Sequence, residues 1–407
     1  MASIGWIYFS KEDKDKIGSV LDLLKLEGMV DELGMGTTRD GLSNELFPGI
    51  STIQTKAKYF FIIPYILYDY IALRSYQRKA KPILQYLEEQ EYRIMWDLAK
   101  YYNYQDGCGV IGITKKYNEP IARRPSAIYW NGLYTYKFID THGLPANTFL
   151  MQSAKASWES LLSVPQGDDS ITDDLDAEYQ NIFNIRIPPK PKWRENLTVE
   201  LYKDEAEIFL DRILSISKNK LIAELLQDDI LWGAYRKSKD FMEFAKAAIS
   251  ILSDKNLKSV LVLAHDFSEL MYGANLAYNI QLQHKIFNSD YFDDEWPEWV
   301  NGLEQNMLDY ANFNPDAVFS YNLTTRDSTK LFVKEWWQEA RAQFPDIEKR
   351  DKLIDMQEAQ VKKGKARLRY NRTDDVKESK WQGLKHLDYR FSQARNILED
   401  IRNGIDS

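Results

Sequence analysis

Cysteine is all but missing: Cys108 stands alone in 407 residues, which excludes an internal disulfide and any cysteine-rich zinc module. Long apolar runs are missing too. The longest apolar window, Tyr59 to Leu73, is interrupted by Pro64 and Asp69 and is too short and too polar to span a bilayer. The N-terminal stretch MASIGWIYFSKEDKDK lacks the basic and long apolar regions of a signal peptide. A soluble, cytoplasmic protein without membrane contact is therefore expected. Catalytic signatures are lacking as well, for there is no GxxxxGKS/T phosphate loop, no GxGxxG after a strand, no GxSxG elbow and no HExxH. No catalytic motif is recognisable and no cofactor is expected.

A hydrophobic fraction of 44% with 13% aromatic residues excludes overall disorder, and the length leaves room for two or three domains. The net charge of −8 argues against a surface that clings everywhere to nucleic acid or anionic lipid. The charge is unevenly spread, however. Between Ser51 and Lys137 about thirteen basic side chains face about seven acidic ones, opposite in sign to the whole.

The apolar spacing predicts a mainly α protein: a helical N-terminal domain over 1–162 with a small β-hairpin and short strands, an acidic and Pro-rich linker over 163–196, and an all-helical C-terminal domain over 197–407. The hairpin is expected where Gly107, Gly109 and the β-prone run Val110 to Thr114 lead through Asn118 to Pro120–Arg124, and Ile4 to Phe9 reads as a strand. Pro125 suits the first position of a short aromatic helix from Ser126 to Phe138. Tyr59 to about Tyr76 reads as one long helix kinked at Pro64, Leu257 to Phe287 as another with Gly273 its weak point, and Ser379 to Gly404 as the closing helix.

Candidate sites follow from charge and position. Lys56 and Lys58 lie on a polar helix entry, and Arg123 and Arg124 stand at the mouth of the aromatic helix, where free backbone N–H groups and guanidinium forks suit a phosphate. Lys363, Arg367 and Arg369 belong to a basic segment, 362–372, whose charge also suits phosphates. Against these stand ordinary ion pairs and core aromatics. No metal site is expected. Its weak candidates are His265 and Asp266, with Glu269 four residues on along the same helix face, because His142, His284 and His386 lack recognisable ligand spacing. Cys108 with His142 is a very weak nucleophile signal, and Glu378-Ser379-Lys380 has the letters of a nuclease site without a buried strand to carry them.

Five stretches, IGWIYFS, STIQTKAKYFFIIPYI, RRPSAIYWNGL, the Pro188–Trp193 run and HLDYRFSQARNILEDI, resemble an uncharacterised bacterial protein family, a domain of unknown function found in anti-phage defence islands. The resemblance covers the whole chain, implies antiviral defence as the setting, and brings no catalytic residue with it. The leading expectation is a non-enzymatic, nucleic-acid-associated accessory protein that contacts phosphates through its basic N-terminal surface. Two alternatives stay open: a scaffold subunit that binds a protein partner through aromatic surfaces and the acidic loop Asp290 to Glu298, and a metal-dependent phosphohydrolase or nuclease using His265 and Asp266.

Overall fold

The computed structural model describes residues 31–115, 119, 121, 123–162, 181–373 and 376–407, the side chains of 156–162 excepted. Its helices are α1 Gly36–Leu46, α2 Tyr59–Ile71, α3 Ser75–Ala80, α4 Ile83–Tyr101, α5 Pro125–Thr135, α6 Ala146–Leu162, α7 Lys203–Ile216, α8 Leu221–Gln227 and α9 Asp229–Lys237. They continue as α10 Phe241–Ile251, α11 Lys255–Phe287, α12 Glu295–Asn306, α13 Pro315–Phe319, α14 Asp327–Arg341, α15 Ile347–Lys362, α16 Arg367–Tyr370 and α17 Phe391–Asp406. The protein is mainly helical, as its apolar periodicity predicts. No helix among the described residues is long and apolar enough to cross a membrane.

The expected β-hairpin and short strands are not formed among the described residues. Ile111 to Thr114 lies in turns, and the one β pairing among the described residues is an isolated antiparallel bridge between Ile139 and Ile185. Gly107, Gly109 and Gly112 have φ of 82°, 88° and 78°, and three left-handed glycines in six residues break the extended backbone a strand requires. Ile4 to Phe9, Lys116 to Asn118, Pro120 and Ala122 lie outside the described residues.

By packing the chain divides into two compact units, each discontinuous in sequence: Phe47–Gln227 with Ser392–Ser407, and Met1–Leu46 with Asp228–Phe391. The divisions at 162 and 196 expected from composition follow another criterion, and much of the segment between them lies outside the described residues.

In the 47–227 unit, α2 and α5 supply a cluster of rings. Phe60 lies 5.0 Å from Tyr129 and 4.6 Å from Phe209, and Phe138 lies 5.1 Å from both Phe61 and Phe209, with all five side chains fully buried. The aromatic helix is therefore core, and only Tyr134 of its large rings reaches water. Burial of so many rings at edge-to-face and tilted angles is the main apolar stabilisation of this unit. The Tyr129 hydroxyl also accepts the Thr55 and Lys56 amides at 2.8 and 3.0 Å and donates to the Lys56 carbonyl at 2.9 Å, which fixes the polar entry to α2.

In the 228–391 unit, α11 is buried over most of its 33 residues. Gly273 is its contact point with Trp299, whose ring atoms lie 2.1–2.4 Å from where a Cβ would stand. One face of α11 is polar and buried. Ser268 Oγ accepts the Leu387 amide at 2.9 Å, Asn279 accepts from Gln382 N at 2.7 Å and donates to Gln382 O at 3.1 Å, and Gln283 accepts from Ser379 N at 3.1 Å. Residues 268, 275, 279 and 283 recur at helical spacing, so one helix face supplies the partners that residues 377–387 would otherwise seek in a sheet. The expected closing helix accordingly begins at Phe391, not Ser379: left-handed backbone at Ser379, Gly383, Tyr389 and Arg390 precludes helix there.

Gly132 of α5 sits against the Gly49 carbonyl and the Phe60 ring, each 2.6 Å from where a Cβ would be. A backbone carbonyl cannot yield cheaply, so Gly132→Ala is expected to destabilise by about 1–3 kcal/mol in urea unfolding. An unchanged midpoint would show that α5 does not pack this closely.

Candidate functional site

Helix α2 stops at Ile71, capped by Ala72, instead of continuing to Tyr76, and the chain turns through Leu73 and Arg74 into α3. This break opens a cleft of about 810 Å3 in the 47–227 unit. One wall is the end of α2 with α3, and the other is the segment Pro189–Trp193. Proline at 189 and 191 fixes φ there and removes backbone donors, so that wall is stiff.

The walls are tied to each other through Asp69. Trp193 Nε1 donates to both Asp69 oxygens at 3.2 Å, and Arg194 donates to Oδ2 through Nη2 at 2.8 Å and Nε at 3.1 Å. The Arg194 guanidinium covers the Trp193 ring at 4.7 Å, and the Tyr68 hydroxyl donates to the Ile187 carbonyl at 2.7 Å. Behind the rear wall Tyr65 donates to Glu205 at 3.1 Å, and Glu205 pairs with Lys58 at 2.5 Å. Lys58 is 1% exposed, and burial draws its ammonium below the ordinary lysine range against the pull of Glu205. The Tyr202 ring lies 3.9 Å from Lys58 Nζ and 4.1 Å from Lys190 Nζ, and Lys190 pairs with Asp204 at 2.7 Å.

With Asp69 offset by Arg194, Lys190 by Asp204 and Lys192 by Glu195, the cleft keeps a surplus of positive charge at Arg74 and Arg78. Arg74 and Arg78 make no ion pair among the described residues, and Arg78 Nε is buried without a hydrogen-bond partner. Arg74 is the extended residue that precedes α3 and Arg78 lies within α3, and both line the cleft. Lys192, exposed on the other wall, has Glu195 at 3.4 Å. Sequence reasoning missed this site although RSYQRKAK at 74–81 carries its signal, because it ran α2 straight through it.

The residues singled out from the sequence fall elsewhere and are not brought together. Lys58 is inside, as above. Lys56 pairs with Asp400 at 2.8 Å, and Asp400 also accepts the Ala57 amide at 2.8 Å. Arg123 is exposed. Arg124 stands 3.5 Å from Glu88 and 3.8 Å from Glu91. The start of α5 is already served by an internal carboxyl group, for Glu91 accepts the Ser126 amide at 2.5 Å and the Ser126 hydroxyl at 3.1 Å. In the 228–391 unit Arg367 pairs with Glu32, and its amide donates to Glu358 at 2.7 Å, whereas Lys363 and Arg369 are exposed.

The histidine constellation is likewise internal. His265 Nδ1 lies 2.8 Å from Asp266, whose two oxygens accept the Leu308 and Asp309 amides at 2.6 and 2.8 Å. Glu269 pairs with His386 at 3.4 Å. Burial would lift the Glu269 carboxyl, but His386, with lesser help from His265, holds it below the usual range. No group of three or more His, Cys, Asp or Glu among the described residues could hold a metal ion. In the 290–298 stretch, Trp296 and Trp299 pack with Trp336 and Phe344, and Tyr291 is the large exposed ring.

Burial pushes the Glu91 carboxyl up to about 7 despite the Ser126 hydrogen bonds and Arg124. Its folded form therefore holds a proton that the unfolded chain has released. The group's stability contribution is full below about pH 4.5 and is lost as pH rises through about 7, roughly 3 kcal/mol in all. Glu91→Gln keeps an acceptor for the Ser126 amide and removes that loss. Its unfolding temperature relative to the natural chain is expected to climb between pH 5 and pH 8, and parallel profiles would contradict the assignment.

No curated protein matches the chain, and no solved structure does. Over residues 1–404 it matches one family, described as a family of unknown function (DUF6361), and to that family the chain belongs.

Proposed function

We propose that the protein is a non-enzymatic, nucleic-acid-associated binding protein that contacts phosphate in the cleft of its 47–227 unit. The observation that carries this reading is the pair Arg74 and Arg78, two guanidinium groups without a carboxylate partner among the described residues, at a cleft with an aromatic wall. A guanidinium fork matches phosphate oxygens, and a partly buried fork gains more from an anion than one in open water. The half-buried Tyr68 offers a ring surface beside them. The exposed Arg123, Lys363, Lys365 and Arg369 supply diffuse positive charge of the kind that attracts a polyanion without reading it. The lack of a recognisable catalytic motif favours binding over chemistry, and an accessory role in anti-phage defence rests on the family resemblance.

The test is binding of the purified protein to short single- and double-stranded DNA and RNA over a salt series. Affinity is expected to fall steeply with salt. Arg74→Ala/Arg78→Ala should weaken single-strand binding about tenfold and flatten the slope by about one to two phosphate contacts, with less effect from Lys363→Ala/Arg369→Ala. Absence of binding at low salt, or equal loss in both double variants, would overturn the assignment to the cleft.

A further inference from the structure

The geometry points to a narrower ligand for the same cleft: the phosphate monoester of a nucleotide, either free or at the end of a single strand. This inference rests on the nucleic-acid reading above and sharpens it.

Size comes first. A space of about 810 Å3 falls within the range of about 300–1,000 Å3 typical of sites that enclose small ligands, and a duplex is instead read on an open surface by elements laid in its grooves. Closure comes next. Tyr65 and Trp193 are 3% and 6% exposed, Trp193 is fastened to Asp69, and Tyr65 is fastened to the buried Glu205. That wall blocks passage at its rear, and a terminus or a lone nucleotide reaches it without a bend in the strand.

Charge points the same way. A phosphate monoester carries about −1.5 to −2 near pH 7 and three acceptor oxygens, more than an internal diester offers. Arg74 and Arg78 both line the cleft and bring two guanidinium forks to it, the donor geometry that a group with three acceptor oxygens uses best. Asp69, the one carboxylate lining the cleft, is engaged by Arg194 and Trp193, so its charge is offset within the wall. Lys190 is likewise held by Asp204 and steadied over the Tyr202 ring. The arginine pair is what remains for an incoming anion.

The test uses the full chain and one short single-stranded DNA in three forms, with a 5′-phosphate, a 3′-phosphate or hydroxyls at both ends, each labelled away from the modified end. A phosphorylated form is expected to bind about tenfold or more tightly than the hydroxyl form, with the preference fading towards pH 5 as the monoester dianion takes up a proton. Arg78→Gln and Arg78→Lys should both lose that preference while keeping the natural unfolding temperature, since the lysine keeps charge but not the fork. Adenosine monophosphate should compete where adenosine does not. Competition as strong as that of the phosphorylated strand makes the free nucleotide the ligand, and weaker competition makes it the strand end. Equal binding of phosphorylated and hydroxyl strands would overturn this inference and leave the nucleic-acid reading standing, whereas no binding of any form would overturn both.

Discussion

A charged lysine taken out of water needs a carboxylate beside it, and in the 47–227 unit Glu205 meets that need for Lys58. Their 2.5 Å contact joins the entry of α2 to the first turn of α7. Glu205 also accepts the Tyr202 amide at 3.0 Å and the Tyr65 hydroxyl, and it lies 3.9 Å from Lys190. One buried carboxylate thus fixes a cleft wall through Tyr65 and a cleft rim through Lys190. Removing either partner of such a pair leaves a bare buried charge, at a cost of about 3–5 kcal/mol. The cleft is rigid because its rear is anchored in this network, and it is positively charged because the network and Asp69 absorb Lys190 and Arg194 but leave Arg74 and Arg78 uncompensated.

The same logic explains why the basic residues most visible in the sequence are not gathered into a phosphate site. A lysine beside a helix entry and an arginine at a helix mouth look like anion receptors, yet the chain supplies its own carboxyl groups to them: Asp400 for Lys56, Glu205 for Lys58, Glu88 and Glu91 for Arg124, and Glu32 for Arg367. Asp400 and Glu32 lie hundreds of residues from their partners in sequence, so no local pattern could announce them. Glu91, 35 residues from Ser126, takes the place at the start of α5 that a phosphate was expected to fill.

Helical spacing made most of the helices legible, along with the apolar stripe of α17, in which Ala394, Leu398 and Ile401 are fully buried. It failed where side chains replace a regular partner. Residues 379–390 read as helix from apolar spacing but are held out of helix through hydrogen bonds to Ser268, Asn275, Asn279 and Gln283, polar residues that look like surface on a helix viewed alone. It failed again at Ala72, a good helix former at which α2 nevertheless ends, and that ending borders the cleft. Gly273 was legible as an irregularity, whereas its cause, the Trp299 ring, was not.

The central claim is one of place, and hydrogen–deuterium exchange with a saturating phosphorylated single strand tests it directly. Added protection at the backbone amides of 72–78 and of Lys190, Lys192 and Trp193 is what the cleft requires. Protection confined to 363–372 or to the mouth of α5, with the cleft unchanged, would contradict it.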